Sequence, residues 1–307
     1  MKPRELAVKV KPFGNVGVEI CDLDVTRLSS SEYSEIVEIF FDQLIVIIRD
    51  QEVNPLAFAR IAASFGDICN VHQCVWNSDG ERVLPPKTLD PFQWTTENLR
   101  NFPVQRVTGK KVNGADSGTF GTGILDWHCN INGVTWAPGI GLQAVSGVRG
   151  TYTSWMDTTR AYEDLSEQLK QRCEGVVGHF AYSPEIWAEG LPDWQLQHMT
   201  GGKRFSYKMP LVNTSERGKK GLYFHFLNEC SFPSDPDLLP ILKEHCFKDK
   251  YIQTVDWREG DIHLSHQILT LHRREQNDPQ ILANRVLNRY GFDFRKVFPD
   301  SKPLYVK

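Results

Sequence analysis

The stretch Leu125-Asp126-Trp127-His128-Cys129-Asn130-Ile131-Asn132 gathers residue types that can do chemistry. In an extended strand, side chains two apart share a face. Asp126, His128, Asn130 and Asn132 then line one side, with Trp127 and Cys129 on the other. A polar face inside a sheet costs free energy unless its groups are paired or hold something. Two readings follow: a metal site with His128 as one ligand, or a histidine satisfied by hydrogen bonds within the core. Cys69, His72 and Cys74 also lie close together, but no second pair of ligands follows at zinc spacing.

The chain of 307 residues is long enough to bury a large core. Its 40% hydrophobic and 24% charged residues are ordinary for a globular protein. A net charge of −3 points to neither nucleic acid nor an anionic membrane as partner. No apolar run approaches the roughly 18 residues of a membrane span, and Met1 to Leu6 lacks the apolar core of a secretory signal. The scattered, odd set of seven cysteines suggests free thiols in a reducing cytoplasm. Self-association is left open.

The elements that must position the central stretch are legible in part. Ala7 to Pro12 and Val16 to Ile20 alternate like strands. Ser29 and Glu32 form a capping box for a helix running to about Gln43. The β-branched run Leu44 to Ile48 reads as a fully buried strand, and Asn54 caps a helix from Leu56 to Phe65 that stops at Gly66. Further strands are expected at Gln105 to Val107, Leu142 to Val145, Gly221 to Phe226, Ile252 to Trp257, Ile262 to Leu264 and Arg285 to Phe292, with a helix from Thr159 to Cys173. Polar segments near 77–104 and 183–205 read as lid-like insertions in a single domain covering 1–307. Many short strands with helices near the start predict a mainly β fold, a double-sheet barrel with flanking helices.

Taken in order, several blocks resemble the taurine dioxygenase-like family of iron(II)- and 2-oxoglutarate-dependent oxygenases. Phe13-Gly14 through Arg49-Asp50, Phe58-Ala59 and Ser64-Phe65-Gly66 are similar to the family's N-terminal entry. Trp127-His128-Cys129-Asn130 matches the position of its Trp-His-x-Asp metal motif, and Gly150-Thr151-Tyr152-Thr153 its Gly-Gly-Asp-Thr segment. Gly260-Asp261 opens the block that leads to the distal metal histidine, here His272, and Arg285 and Arg289 match the paired arginines that follow.

The resemblance implies a double-stranded β-helix (jelly-roll) core and an enzyme using iron(II), 2-oxoglutarate and dioxygen on a small-molecule substrate. His128, Asn130 and His272 would be the metal ligands, and Arg285 with Thr153 would bind the co-substrate. An arginine suits its far carboxylate because the planar fork binds a carboxylate bidentately. Arg289, whose counterpart in the taurine enzyme meets an anionic substrate, and His225 would lie near the substrate. The implied outcome is hydroxylation of a carbon, or desaturation or rearrangement, with release of succinate and carbon dioxide.

The chain departs from the family at two places. Asn130 stands where the family has a carboxylate, so it is either a neutral ligand, or replaced by Asp126, or part of an open position as in the family's halogenases. A relative that binds a small molecule without turning it over is the alternative from another class. Ser265-His266-Gln267 replaces the usual Trp-Asp-Asn, and His225, His263 and His266 are each expected to be satisfied polar residues first and site residues second.

Overall fold

The run Ile45–Ile48 is buried at every position, and the architecture shows why. The computed structural model describes residues 8–69, 75–84, 86–121, 125–131, 133, 136–181, 206–226 and 229–306. Ile45–Ile48 lies within an eight-stranded sheet ordered Lys9–Pro12, Val18–Cys21, Ile45–Ile48, Ile262–His266, Gly139–Ser146, Val286–Phe292, Gln105–Thr108, Thr119–Phe120. A four-stranded sheet, ordered Leu125–His128, Thr270–Arg274, Tyr152–Asp157, Ile252–Asp256, faces it.

Strand alternation divides Ile45–Ile48 between two cores. Ile45 and Ile47 point inward with Ile140, Leu142 and Leu287 to meet Trp155 and Val255 of the smaller sheet and Trp257 just past its last strand. Val46 and Ile48 point outward, with Ile262, Leu264 and Phe292, against the helices Ser30–Gln43 and Pro55–Phe65. The Ser29–Glu32 capping box and the Asn54 cap hold the starts of these helices, as their sequences predict. Gly141 allows the second helix to lie close: a Cβ there would come within 2.7 Å of the Phe58 ring. Two facing sheets with helices outside are the jelly roll expected from the sequence.

A third core gathers at the end of the barrel beside Trp127. There the sheet of Val177–Ala181, Ser206–Pro210 and Glu229–Ser231 packs with the helix Leu238–Cys246. This helix, the helix Pro279–Asn284 and the strand Thr270–Arg274 are additional to the elements expected from the sequence, although Leu238, Leu242 and Cys246 recur at helical spacing on one buried face. The helix expected from Thr159 to Cys173 is two, Thr158–Glu163 and Glu167–Cys173. Ser166 starts the second by accepting the Leu169 N–H, while Asp164 in the break is held by Lys250 and Tyr251.

Of the strand expected from Gly221 to Phe226, only Lys220–Leu222 pairs regularly. The rest runs past the end of the barrel, where Phe226 N–H donates to the Trp127 carbonyl. The polar segment near 77–104 is anchored through buried Leu89 and Phe102, and Arg60 donates to the carbonyls of Pro91 and Trp94. The other polar segment, near 183–205, lies outside the described residues, as do His72 and Cys74.

Candidate functional site

The strands Leu125–His128 and Thr270–Arg274 pair antiparallel with His128 opposite His272. Residues directly opposite in such a pair share a face, and the two imidazole centroids are 4.1 Å apart. His272 is also opposite Trp155, whose ring lies 4.9 Å away on the inner face of the barrel. The register shifts between Leu125 and His128, and this irregularity breaks the alternation expected for the stretch. Asp126 is exposed, and its carboxylate accepts the Trp127 N–H at 2.7 Å. Only its backbone carbonyl reaches inward, to His128 Nδ1 at 2.7 Å. Asp126 therefore does not replace the missing carboxylate. Asn132 lies outside the described residues.

Both imidazoles are buried and neutral. Burial, with a smaller part from Arg274 and Arg289, lowers the His128 pKa to about 4 despite the hydrogen bond its ring donates to the Asp126 carbonyl. Burial, then the neighbouring His128 and Arg289, holds His272 well below the usual histidine value. Bonding to a carbonyl fixes the proton of His128 on Nδ1, leaving the Nε2 lone pair as donor to a metal.

Asn130 follows the end of the strand and is brought to the same place by three partners. Its backbone N–H and side-chain Nδ2 both donate to Gln267 Oε1, at 2.7 and 2.9 Å. Its Oδ1 accepts from Arg289 Nη2 at 3.0 Å, and Nδ2 lies 3.2 Å from His272 Nε2. Arg289 donates with its other arm to Gln105 Oε1, a cross-strand partner.

A cationic region lies farther along the same inner face. Arg285, the residue ending the helix Pro279–Asn284, is 3% exposed, and its pKa falls to about 10 through burial alone. No described carboxylate offsets its charge. Buried Arg274 lies near enough for the two guanidiniums to repel, and it donates to the Phe120 carbonyl. Thr153 is directly opposite Arg274, and its hydroxyl oxygen accepts from Trp257 Nε1 at 2.9 Å. A hydroxyl that accepts in this way keeps its proton free to donate. A buried guanidinium without a described counter-charge suits a carboxylate.

The remaining histidines differ from one another. His225 stacks on Phe180 at 4.9 Å and accepts or donates at Nε2 with the Tyr207 hydroxyl at 2.7 Å. Burial, then His128, lowers its pKa to about 3. His266 is satisfied as expected: Nδ1 accepts from Ile268 N–H, so Nε2 donates to Glu216 at 3.3 Å. His263 departs from the expectation. It is fully buried and stacks on Trp257 at 3.8 Å; neither ring nitrogen has a hydrogen-bond partner among the described residues, and Nε2 lies 4.0 Å from Asp261 Oδ2.

The residues present fit a bound carboxylate and two of the ligands of a divalent metal. The third is not supplied in this arrangement, because Asn130 offers its NH2 to His272 while its oxygen is held by Arg289. Among the described residues no three His, Cys, Asp or Glu side chains are placed to share a metal ion. Gln267 and Arg274 were missed by the sequence reading. Gln267 carried a signal, since it stands in the departing Ser-His-Gln block, while Arg274 is legible only from its strand register with Thr153.

Comparison with known proteins gives three results. The family model described as taurine catabolism dioxygenase TauD, TfdA family matches residues 9–290. An alkylsulfatase of Acinetobacter baylyi is 27% identical over 190 residues, which cover 56% of this chain and 60% of that relative. The match thus spans less than two thirds of the relative's length. Among solved structures, one described as AAD-2 in complex with Mn(II) and N-oxalylglycine superposes with a TM-score of 0.66 at 17% identity, covering 98% of this chain and 100% of that one. A taurine dioxygenase of Burkholderia xenovorans superposes with a TM-score of 0.62 at 19% identity, covering 93% and 89%. These likenesses establish the fold. Among the described residues, no helix is long and apolar enough to cross a membrane.

Proposed function

The chain belongs to the taurine catabolism dioxygenase (TauD, TfdA) family, and we propose that it oxidises a small-molecule substrate with 2-oxoglutarate and dioxygen at a divalent-metal site held by His128 and His272. The observation that carries this reading is Arg285: a buried cation without a described counter-charge, on the inner face that also holds both imidazoles. An isolated buried charge is costly, and a bound carboxylate would offset it.

In this reading the far carboxylate of 2-oxoglutarate is received by the Arg285 fork and the Thr153 hydroxyl. Trp257 fixes the Thr153 oxygen by donating to it, so the hydroxyl proton is aimed rather than free to rotate. Arg274 raises the positive potential at the same end. Bound iron(II) would supply the oxidising chemistry, converting the oxoacid to succinate and carbon dioxide as a substrate carbon is oxidised. His128 is set for ligation by the Asp126 carbonyl, and burial keeps both histidines in the neutral form a metal requires. Hydroxylation is the outcome this reading favours, with desaturation or rearrangement as variants. The position left open in a halogenase is here filled by Asn130, tied to Gln267 and Arg289, which counts against halide.

A ligand-binding role without turnover is the second reading, favoured by the absence of the family's carboxylate at Asn130. One experiment separates the two. The protein is incubated with iron(II), 2-oxoglutarate and a substrate library in air, and succinate and product masses are followed. Oxygen-dependent succinate formation supports the enzyme. Tight 2-oxoglutarate binding without succinate supports the binder, and failure to bind either metal or oxoacid removes both readings.

A further inference from the structure

The hydrogen-bond partners fix which way the Asn130 amide points. Gln267 Nε2 donates to the Ser265 hydroxyl at 2.7 Å, and its Oε1 faces the Asn130 backbone N–H at 2.7 Å. A backbone N–H only donates, so the Gln267 atom turned to Asn130 is the oxygen. The Asn130 side-chain atom 2.9 Å from that oxygen is therefore Nδ2. On the opposite side the Arg289 guanidinium, which also only donates, is 3.0 Å away and requires Oδ1 there. Turning the amide over would set oxygen against oxygen at Gln267 and N–H against N–H at Arg289.

So fixed, Nδ2 stands 3.2 Å from His272 Nε2 and donates to the lone pair with which that imidazole would hold a metal. An amide NH2 is a donor and offers a cation nothing. The two histidines are thus unequal. His128 is preset by the Asp126 carbonyl, with Nε2 left to ligate, whereas His272 has its coordinating nitrogen covered and its Nδ1 buried without a described partner.

We infer that Asn130 is a latch over His272 and not a third metal ligand, with Gln267 and Arg289 as the positioning residues that hold it. The inference rests on the reading of His128 and His272 as a divalent-cation site. A cation at His272 must displace the Asn130 NH2 from that nitrogen, which leaves it Gln267 as its remaining acceptor and costs one hydrogen bond, so the latch lowers metal affinity. Arg289 has a second consequence for the latch: its guanidinium is tied to Asn130 and Gln105, and it holds the amide from the side away from Gln267.

The test is a Mn(II) titration of the full-length protein without any oxoacid, following the free ion by electron paramagnetic resonance. Asn130→Ala, which keeps the charge unchanged, is expected to bind Mn(II) roughly two- to tenfold tighter than wild type, the span that one neutral hydrogen bond covers. Asn130→Val should do the same. Equal, weaker or undetectable binding by both folded variants overturns the latch, and weaker binding would make Asn130 a ligand. Independently of any variant, the ¹⁵N shifts of His272 in the metal-free wild type should show Nδ1 protonated and Nε2 accepting. The opposite tautomer also overturns the latch. Failure of the underlying site has a different appearance: wild type, Asn130→Ala and Asn130→Asp would all fail to bind Mn(II) even with 2-oxoglutarate present.

Discussion

Arg289 donates through Nη2 to the side-chain oxygen of Asn130 at 3.0 Å. The guanidinium that family resemblance would assign to an anionic substrate is thereby joined to the residue standing where the family has its carboxylate. The pair differs from a carboxylate–arginine pair in one respect, which is charge. With Asn130 neutral, the described site holds buried cations and neutral imidazoles but no carboxylate.

Asn130→Asp restores that charge at nearly constant size. Carboxylate oxygens would then face both Arg289 and His272, removing the NH2 from the His272 lone pair. Iron(II) affinity is expected to rise at least tenfold, which corresponds to about 1.4 kcal/mol. Anaerobic metal titration reads the change, and an affinity no higher than wild type would mean that residue 130 does not face the metal.

Arg285→Met should lose 2-oxoglutarate while keeping, or gaining, thermal stability. The binding loss follows from removing one partner of a buried charge-assisted pair, on the order of 2–5 kcal/mol, or roughly thirtyfold and more in affinity. The stability expectation has the opposite sign, because a buried guanidinium without a described counter-charge is replaced by an apolar chain. Calorimetric titration and a melting curve measure the two separately. Unchanged oxoacid affinity would remove Arg285 from the site.

Trp257→Phe tests the support behind the co-substrate site. The ring still stacks on His263, but the N–H that holds Thr153 Oγ1 at 2.9 Å is gone. A loss of about 0.5–1.5 kcal/mol is expected for one neutral hydrogen bond, seen as a several-fold rise in the Kd for 2-oxoglutarate. Thr153→Val should lose at least as much. If Thr153→Val binds normally, the hydroxyl has no part in holding the carboxylate.

Stability should fall as pH drops below about 6.5, the unperturbed histidine value. His263 and His225 have folded pKa values below 6.5, His225 at about 3. Below 6.5 the unfolded chain takes up protons that the folded chain refuses, so the unfolded state gains. Each such histidine contributes a slope of about 1.4 kcal/mol per pH unit until its folded pKa is reached. Asp261, whose carboxyl is lifted by burial, works in the other direction at the acid end. His263→Phe should flatten the fall in melting temperature between neutral pH and pH 5, and an unchanged profile would locate the acid sensitivity elsewhere.

Much of the scaffold follows from local rules. The capping box at Ser29, the Asn54 cap and the β-branched run Ile45–Ile48 give the elements found, because caps and periodicity act over a few neighbouring residues. The ordered blocks around His128, His272, Arg285 and Arg289 placed the chain in its family, and with it the jelly roll. Local reading failed where non-local partners decide. Asp126 and His128 belong on one face by strand period, but a register shift against Thr270–Arg274 sends the Asp126 carboxylate to the surface. Arg274 carried no signal until pairing set it opposite Thr153.

Asn130 shows the same division most clearly. Its sequence announces the loss of a charge, and charge is a property of the residue itself. Whether its amide offers oxygen or nitrogen to His272 is a property of the tertiary structure. That choice is made by Gln267 and Arg289, 137 and 159 residues away along the chain, because one can only accept and the other can only donate at the contact.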